Sequence, residues 1–131
     1  MKLSGWIRLN KENLEKIPDG PGIYKIGYPR TLNMAVGSDK EGLLVIGSAT
    51  LRHRIGQFHT SIREDTKTAP HSEGYRFHAL GMAEFFPTEN LRFKFKRTNN
   101  EKEAQRLEGE ELVKYQDKHR ELPPLNNIGG R

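Results

Sequence analysis

The fold is decided by two short apolar runs, GIYKIGY at residues 22–28 and LLVIG at residues 43–47. The first run follows the turn sequence Pro18–Pro21 and is rich in β-branched and aromatic residues, which predicts a strand over Gly22–Tyr28. The second run is apolar without alternation, a pattern typical of a strand that is buried on both faces. We therefore expect Leu43–Gly47 to be a central strand.

A third strand is expected near the second half of the chain. Residues Leu91–Arg97 alternate strictly between apolar and other side chains, which indicates a half-buried strand with Leu91, Phe93 and Phe95 facing inward. The stretch Pro29–Gly42, which lies between the first two strands, has the composition of a loop.

Helices are predicted in three places. A short helix is expected over Asn10–Ile17, where Asn10 is a good N-cap. A second helix starts at Leu51, because apolar residues recur at steps of four, three and four: Leu51, Ile55, Phe58 and Ile62. A third helix is expected over Glu101–His119, behind a capping box that we assign to Thr98–Glu101.

These elements predict the fold class, α/β of the α+β kind, with a small three-stranded antiparallel sheet flanked by helices. The length of 131 residues suits one domain, which we assign to residues 1–131. The stretch Tyr75–Phe86 stays open between a short helix and irregular structure, and Thr66–Gly74 is expected to be a loop.

Composition narrows the function classes. The chain has 22 Lys and Arg against 17 Asp and Glu, a net charge of +5 that favours a polyanionic partner without demanding one. Cysteine is absent, which excludes disulfides, thiol nucleophiles, iron–sulfur clusters and Cys-based zinc sites. No apolar run approaches the ~20 residues of a transmembrane helix, and no signal peptide is recognisable. We therefore expect a soluble, cytoplasmic domain without a membrane partner.

Glu108 is the least expected residue on its helix face. Positions 104, 108, 112 and 115 share one face, and the other three residues are Ala, Leu and Tyr. A carboxylate that faces a core is costly unless it is paired or binds a metal. Two interpretations stay open. Glu108 is a metal ligand, or it lies at the edge of the apolar stripe and forms an ion pair, which spacing alone favours.

Three other polar residues are candidates for a functional site, and each also has an ordinary structural interpretation. Arg54 lies on the flank of the apolar stripe of its helix, where it can contact a phosphate or cover the edge of an amphipathic helix. His59 has no metal-ligand spacing to the other histidines, so a hydrogen-bonded or solvated ring is the commoner case. Tyr24 lies in the middle of a strand, where core packing is the usual role and the hydroxyl needs a partner.

Taken in order, these residues resemble the motifs of one family, the GIY-YIG endonucleases. The matching stretches are Gly22-Ile23-Tyr24, Val45-Ile46-Gly47, Gly47–Ile55, Ala104–Glu108 with Leu112–Lys114, and Pro123–Asn126. The resemblance covers about residues 20 to 127, and motifs in series are more specific than any one of them. It implies the family's fold, a small antiparallel sheet flanked by helices.

The resemblance also implies metal-dependent hydrolysis of phosphodiester bonds in DNA. Glu108 would bind a single Mg²⁺ or Mn²⁺, Arg54 would contact the phosphate, and Tyr24 would contact or deprotonate the attacking water. Asn126 would orient the site through its amide. His59 is a weaker candidate, because the family's polar partner follows the arginine by four residues and His59 follows by five, which turns a side chain by ~100°.

Val45 is the main departure from the family pattern, because it replaces the tyrosine of the second motif. The alternative is therefore a catalytically impaired nucleic-acid-binding module on the same fold. A third interpretation is a scaffold whose motif series is coincidental, which would bind no DNA even at low salt.

DNA is the expected partner, and RNA stays open. Arg52, Lys94 and Lys96 are candidates for contacts to the nucleic-acid backbone, although alternating basic residues are also the ordinary solvated face of a strand. No DNA-reading module is recognisable, so substrate choice would depend on the loops Pro29–Gly42 and Thr66–Glu89 or on a partner protein. Cutting both strands would need a homodimer or two encounters.

Overall fold

The computed structural model describes residues 2–63, 77 and 81–126, and its elements follow one another in a mixed α+β order. The strands are β1 (Ile7–Arg8), β2 (Pro21–Gly27), β3 (Leu32–Asn33), β4 (Ser38–Asp39), β5 (Leu43–Thr50) and β6 (Arg92–Arg97). The helices are α1 (Lys11–Leu14), α2 (Leu51–Arg63) and α3 (Glu101–His119), and 3-10 turns lie at Met82–Glu84 and Thr88–Asn90.

The main sheet is antiparallel and has the strand order β1-β6-β2-β5, while β3 and β4 form a small hairpin. The predicted α+β class is confirmed, but the predicted number of three strands is wrong. The additional strand, β1, pairs Ile7 with Phe93 and Arg8 with Arg92. A strand of two residues is too short to show an alternating pattern, so its existence depends on the edge that β6 offers.

Strand β5 lies at the edge of this sheet, and β2 is central, which corrects the expected central position of Leu43–Gly47. Residues 43–47 are nevertheless buried, because one face of β5 packs into the α2 side of the core and the other packs against α3. The outer edge is covered as well, since the Leu125 N–H donates to the Leu44 carbonyl at 2.7 Å. A continuous apolar run therefore indicates that both faces of a strand are covered. It does not indicate where the strand lies in the order of the sheet.

The two faces of the sheet have different partners. On one face, Tyr24 and Ile26 of β2 pack with Leu51 and Ile55 of α2. On the other face, Ile23 packs with Leu107 and Tyr115 of α3, together with Ile46 and Leu43 of β5. This division follows from the alternation of side chains along a strand. It decides which candidate site residues can meet.

Helices α1 and α3 each begin at an asparagine N-cap. The Asn10 side chain accepts a hydrogen bond from the Asn13 N–H, as expected, but α1 ends at Leu14 rather than Ile17. Helix α3 has the predicted bounds, whereas its cap is Asn100, whose side chain accepts from the Glu103 N–H. The capping box assigned to Thr98–Glu101 is therefore wrong by two residues, because Asn100 already satisfies the first turn.

Two predicted segments lie outside the described residues, namely the loop Thr66–Gly74 and the tail beyond Asn126. Of the stretch Tyr75–Phe86, residue 77 and residues 81–86 are described, and Phe77 is buried with its ring centroid 6.4 Å from that of Phe58. None of the helices in the described ranges combines the length and the apolar character that a membrane span requires.

Candidate active site

Glu108 lies inside the molecule and contacts β5. The residue is 3% exposed, and its carboxylate accepts a hydrogen bond of 2.5 Å from the Ser48 hydroxyl. The helix period placed Glu108 on the apolar face of α3. The structure turns it inward with Ala104, Leu107 and Tyr115, which corrects the position at the edge of the stripe that spacing alone favoured. Glu108 also lines a cavity of about 310 Å³ with Ser48, Gln105, Gly109 and Leu112.

Arg54 lines a second cavity, of about 240 Å³, where β5 continues directly into α2. The cavity is bounded by the end of β5, the first turn of α2 and the first part of α3, and its lining residues are Ser48, Ala49, Thr50, His53, Arg54, Glu101, Ala104 and Gln105. Arg54 is half-buried, so its side chain is supported by the protein rather than fully surrounded by water. A supported guanidinium is a suitable donor for a phosphate.

The cavities of Arg54 and Glu108 adjoin each other, because Ser48 and Gln105 line both of them. The structure thus brings a guanidinium and a buried carboxylate to neighbouring places at the end of β5. These residues are 54 positions apart in the chain, and the strand-to-helix connection at Thr50 and the packing of α3 on the sheet place them together.

Tyr24 lies on the opposite face of the sheet from Glu108. A Cβ atom built on Gly47 would lie 2.5 Å from both Cζ and Oη of Tyr24, so the ring end lies directly over Gly47. Gly47 and Ser48 are consecutive in β5, and consecutive side chains of a strand point to opposite faces. Tyr24 is 2% exposed and lines neither of the two cavities.

Asn126 lies at the outer edge of β5. Its side-chain oxygen accepts from the Ile46 N–H at 3.0 Å, and its amide nitrogen donates to the Ile46 carbonyl at 2.9 Å. One side chain thus makes both hydrogen bonds that a neighbouring strand would make. Asn126 is buried, lines neither of the two cavities, and approaches the strand two residues before Ser48.

The four residues taken from the family resemblance therefore surround one short segment of the edge strand, residues 46–50. Asn126 contacts its edge, Tyr24 covers one face, Glu108 contacts the other face and Arg54 lies beyond its end. Only Arg54 and Glu108 of this group line the adjoining cavities, so the structure does not bring all of them to a single concave surface.

His59 and Arg52 lie elsewhere on α2. His59 lines cavities with residues of α1 and of the segment before it, and neither of these cavities contains Arg54 or Glu108. The Arg52 guanidinium donates from Nε to the Ile17 carbonyl at 2.8 Å, which ties α2 to the segment before β2. The structure thus gives Arg52 a contact within the fold.

The basic residues of β6 lie on the α3 side of the sheet, because they pair across β2 with Lys25 and Ile23. The Lys94 ammonium contacts the Glu41 carboxylate at 2.7 Å and lies 4.4 Å from the ring centroid of Trp6. Lys96 is half-buried in the same row as Ile23 and Ser48. Their proposed contacts to nucleic acid stay a prediction.

Several residues that line the two cavities were not among the predicted site residues. Ser48 and Gln105 line both, and His53 and Glu101 line the cavity that contains Arg54. Ser48 directly follows the Val45-Ile46-Gly47 motif. Gln105 precedes Glu108 by three positions, which places Gln105 and Glu108 on one side of α3. These spacings were visible in the sequence, but the partner across the sheet was not.

The donor atoms around Glu108 suit a hard divalent cation. A carboxylate, a serine hydroxyl and a glutamine amide border one cavity, and oxygen donors of this kind are what Mg²⁺ and Mn²⁺ prefer. In residues 2–63, 77 and 81–126 no group of three or more His, Asp or Glu is arranged to hold a metal ion. Glu108 supplies the carboxylate among the residues that line this cavity.

A second polar cluster lies farther along α3. The Lys25 ammonium contacts the Glu111 carboxylate at 2.6 Å, with side-chain exposures of 11% and 14%. Burial alone would raise the pKa of the Glu111 carboxyl, but the contacts with Lys25 and Lys114 bring it below its ordinary value of 4.5. Nearby, the Tyr115 hydroxyl donates to Asp39 at 2.7 Å, and burial together with this carboxylate raises the pKa of the tyrosine.

Comparison with known proteins gave no match: no family model, no curated protein and no solved structure matches the chain. The resemblance to the GIY-YIG endonucleases therefore rests on the sequence motifs.

Proposed function

We propose that this chain is a divalent-metal-dependent endonuclease that hydrolyses phosphodiester bonds in DNA. The observation that supports this proposal is the pair of adjoining cavities at the end of β5, lined by Arg54 on one side and by the buried Glu108 on the other. In the reaction, water adds to phosphorus and one P–O ester bond breaks, leaving a terminal phosphate and a terminal hydroxyl. Negative charge that develops on the phosphate must be stabilised during this step.

Arg54 and Glu108 have complementary roles in the proposal. Arg54 binds two phosphate oxygens through its planar guanidinium, which positions the scissile phosphate at the end of β5. Glu108 holds one Mg²⁺ or Mn²⁺, with Ser48 and Gln105 as neutral oxygen groups beside it. The cation, when bound, supplies positive charge to the phosphate.

Tyr24 would assist the attacking water from the other face of the edge strand. Its hydroxyl lies over Gly47, which has no side chain, and so it reaches the strand on which Ser48 and Glu108 meet. Asn126 is a positioning residue in the proposal, because it fixes the backbone of Ile46.

A second candidate function has its own support. Val45 is fully buried in the α2-side core, and Tyr24 is 2% exposed in the same core. The second motif has no hydroxyl, because Val45 replaces its tyrosine, and Tyr24 of the first motif is covered. A nucleic-acid-binding module that has lost cleavage would have these features.

Nicking of supercoiled plasmid and of branched DNA in Mg²⁺ or Mn²⁺ tests the proposal. We expect the unmutated chain to nick, EDTA to stop the reaction, and Glu108→Gln and Arg54→Ala each to lower kcat by about 10²–10³-fold. Tyr24→Phe should lower kcat by about 10²-fold or more, because it removes the hydroxyl and keeps the ring.

The matched controls are Glu110→Gln and Arg106→Ala, since these two residues are exposed and pair with each other on the same helix as Glu108. Both controls should nick like the unmutated chain. Salt-sensitive DNA binding without any nicking would contradict the enzyme and support the binding module. No DNA binding at low salt would contradict both.

A further inference from the structure

The Ser48 hydroxyl is a hydrogen-bond partner of the buried carboxylate of Glu108. The Oγ–Oε1 distance of 2.5 Å is at the short end for a hydroxyl that donates to a carboxylate, and such charge-assisted hydrogen bonds are about twice as strong as neutral ones. The bond joins two elements that are 60 positions apart, β5 and α3.

Strand β5 is a firm support for this hydroxyl. Ser48 pairs with Ile23 of the central strand, and the Asn126 side chain fixes Ile46 two residues earlier. A glutamate side chain, in contrast, has several rotatable bonds, and ordering it costs conformational entropy. A hydroxyl on a fixed strand can set the orientation of the flexible carboxylate before any ligand arrives.

We propose that Ser48 is a positioning residue for the metal ligand, in that its hydroxyl holds the Glu108 carboxylate in the orientation that binds the divalent cation. This inference rests on the proposed nuclease function. Partners of metal ligands typically change metal affinity by 10–100-fold when they are removed. Ser48 is well placed for this role, because it lines the cavity of Arg54 as well as the cavity of Glu108.

Binding of Mn²⁺ to the full chain, measured by titration, tests the proposal without any need for turnover. Ser48→Ala should weaken Mn²⁺ binding by about 10–100-fold, and Ser48→Thr, which keeps a hydroxyl, should bind within a few-fold of the unmutated chain. Ser48→Val matches the threonine in shape but has no hydroxyl, so it should bind as weakly as the alanine variant. This pair decides the question even if Ser48→Ala fails to fold.

Nicking assays add a second readout that a purely structural role would not reproduce. Ser48→Val should need a higher Mn²⁺ concentration for half-maximal rate, while its rate at saturating Mn²⁺ stays within a few-fold of that of Ser48→Thr. The control is Ser61→Ala, which removes another buried hydroxyl, one that donates to the Gln57 carbonyl within α2. The control should leave Mn²⁺ binding unchanged.

The failures of the two proposals are distinguishable. If Glu108→Gln abolishes Mn²⁺ binding while Ser48→Val binds as tightly as Ser48→Thr, Glu108 remains the ligand and the role of Ser48 is overturned. Tighter binding by Ser48→Val would overturn it too, because the hydroxyl would then compete with the cation for the carboxylate. If the unmutated chain binds no Mn²⁺ and nicks no DNA, the proposed function itself is wrong.

Discussion

At position 47 of β5, a side chain of any size would collide with Tyr24. A Cβ atom there would lie 2.5 Å from the end of the tyrosine ring, and the ring is packed in the core with 2% exposure, so it has little room to move. The glycine of the second motif therefore has a packing role that follows from the pairing of Tyr24 with Gly47 across the sheet. It allows a bulky residue on the central strand to extend over its neighbour.

Gly47→Ala should lower the free energy of unfolding by about 1–3 kcal/mol, because the added methyl group overpacks the core against Tyr24. Gly56→Ala is the matched control, since a Cβ at this position in α2 meets nothing within 4 Å. In a helix interior this change should stabilise the protein by about 0.5–1 kcal/mol. Urea unfolding of both variants measures the two effects. Equal stability of Gly47→Ala and the unmutated chain would contradict the packing role.

Those features of the candidate site that depend on a single helix or strand were predictable from the sequence. Contacts between two elements were not. The period of α3 placed Glu108 on the apolar face, because spacing along a helix fixes which residues share a face, but it did not decide between an inward carboxylate and one at the edge of that face. Ser48 could not be identified as its partner, because that contact depends on how α3 packs across β5. For the same reason, the sequence did not show that Tyr24 and Glu108 lie on opposite faces.

At the scale of elements, α3 is attached to the sheet by polar contacts as well as by its apolar stripe. The Lys25–Glu111 ion pair lies between β2 and α3, with both side chains largely buried. Breaking one partner of a buried pair is strongly destabilising, because it leaves the other charge uncompensated. This pair therefore links the stability of the sheet–helix interface to pH.

Glu111→Gln tests this link. The pKa of Glu111 is lowered in the folded chain, so the carboxylate adds stability above its ordinary value of 4.5 and loses this contribution as the pH falls through the lower folded value. The difference in free energy of unfolding between the unmutated chain and Glu111→Gln should thus be largest at neutral pH and shrink below pH 4.5. Urea unfolding across this range measures it.

The exposed Glu110→Gln is the control for this experiment. Glu110 pairs with Arg106 on the surface of α3, where such pairs contribute about 0–1 kcal/mol. Its substitution should change stability little at any of these pH values. A difference for Glu111→Gln that stays constant from neutral pH to below pH 4.5 would contradict the proposed origin of the effect.

Elements were predictable in type more than in position. The strand over Leu91–Arg97 followed from its alternation, and the helix over Glu101–His119 followed from its helix-forming residues and the cap before it. The structure has both within a residue at each end. The sheet order did not follow, because a strand covered on both faces by helices has the same apolar pattern at an edge as at the centre. The local hydrophobic pattern indicates which side chains of a strand are buried, whereas the order of strands depends on pairing between distant segments of the chain.

At the scale of the whole molecule, the two edges of the predicted three-stranded sheet, β6 and β5, are each covered by a segment that lies outside the predicted elements. On one side, β1 pairs with β6, and the Ser4 and Leu9 amides extend this pairing to Phe95 and Leu91. On the other side, residues 125–126 cover β5. Exposed strand edges are sites of association with other chains, so residues 125–126 remove one such site at β5.

The closure of β5 depends largely on one side chain, that of Asn126. Asn126→Ala would leave the buried N–H and carbonyl of Ile46 without these partners, and each such loss costs about 1–3 kcal/mol. We therefore expect a decrease of about 2–4 kcal/mol in the free energy of unfolding, measured in urea, and concentration-dependent association in light scattering. The exposed Asn33→Ala should change neither quantity. If Asn126→Ala were as stable and as monodisperse as Asn33→Ala, the amide would not be what closes the edge of β5, and its proposed positioning of the site through Ile46 would also be contradicted.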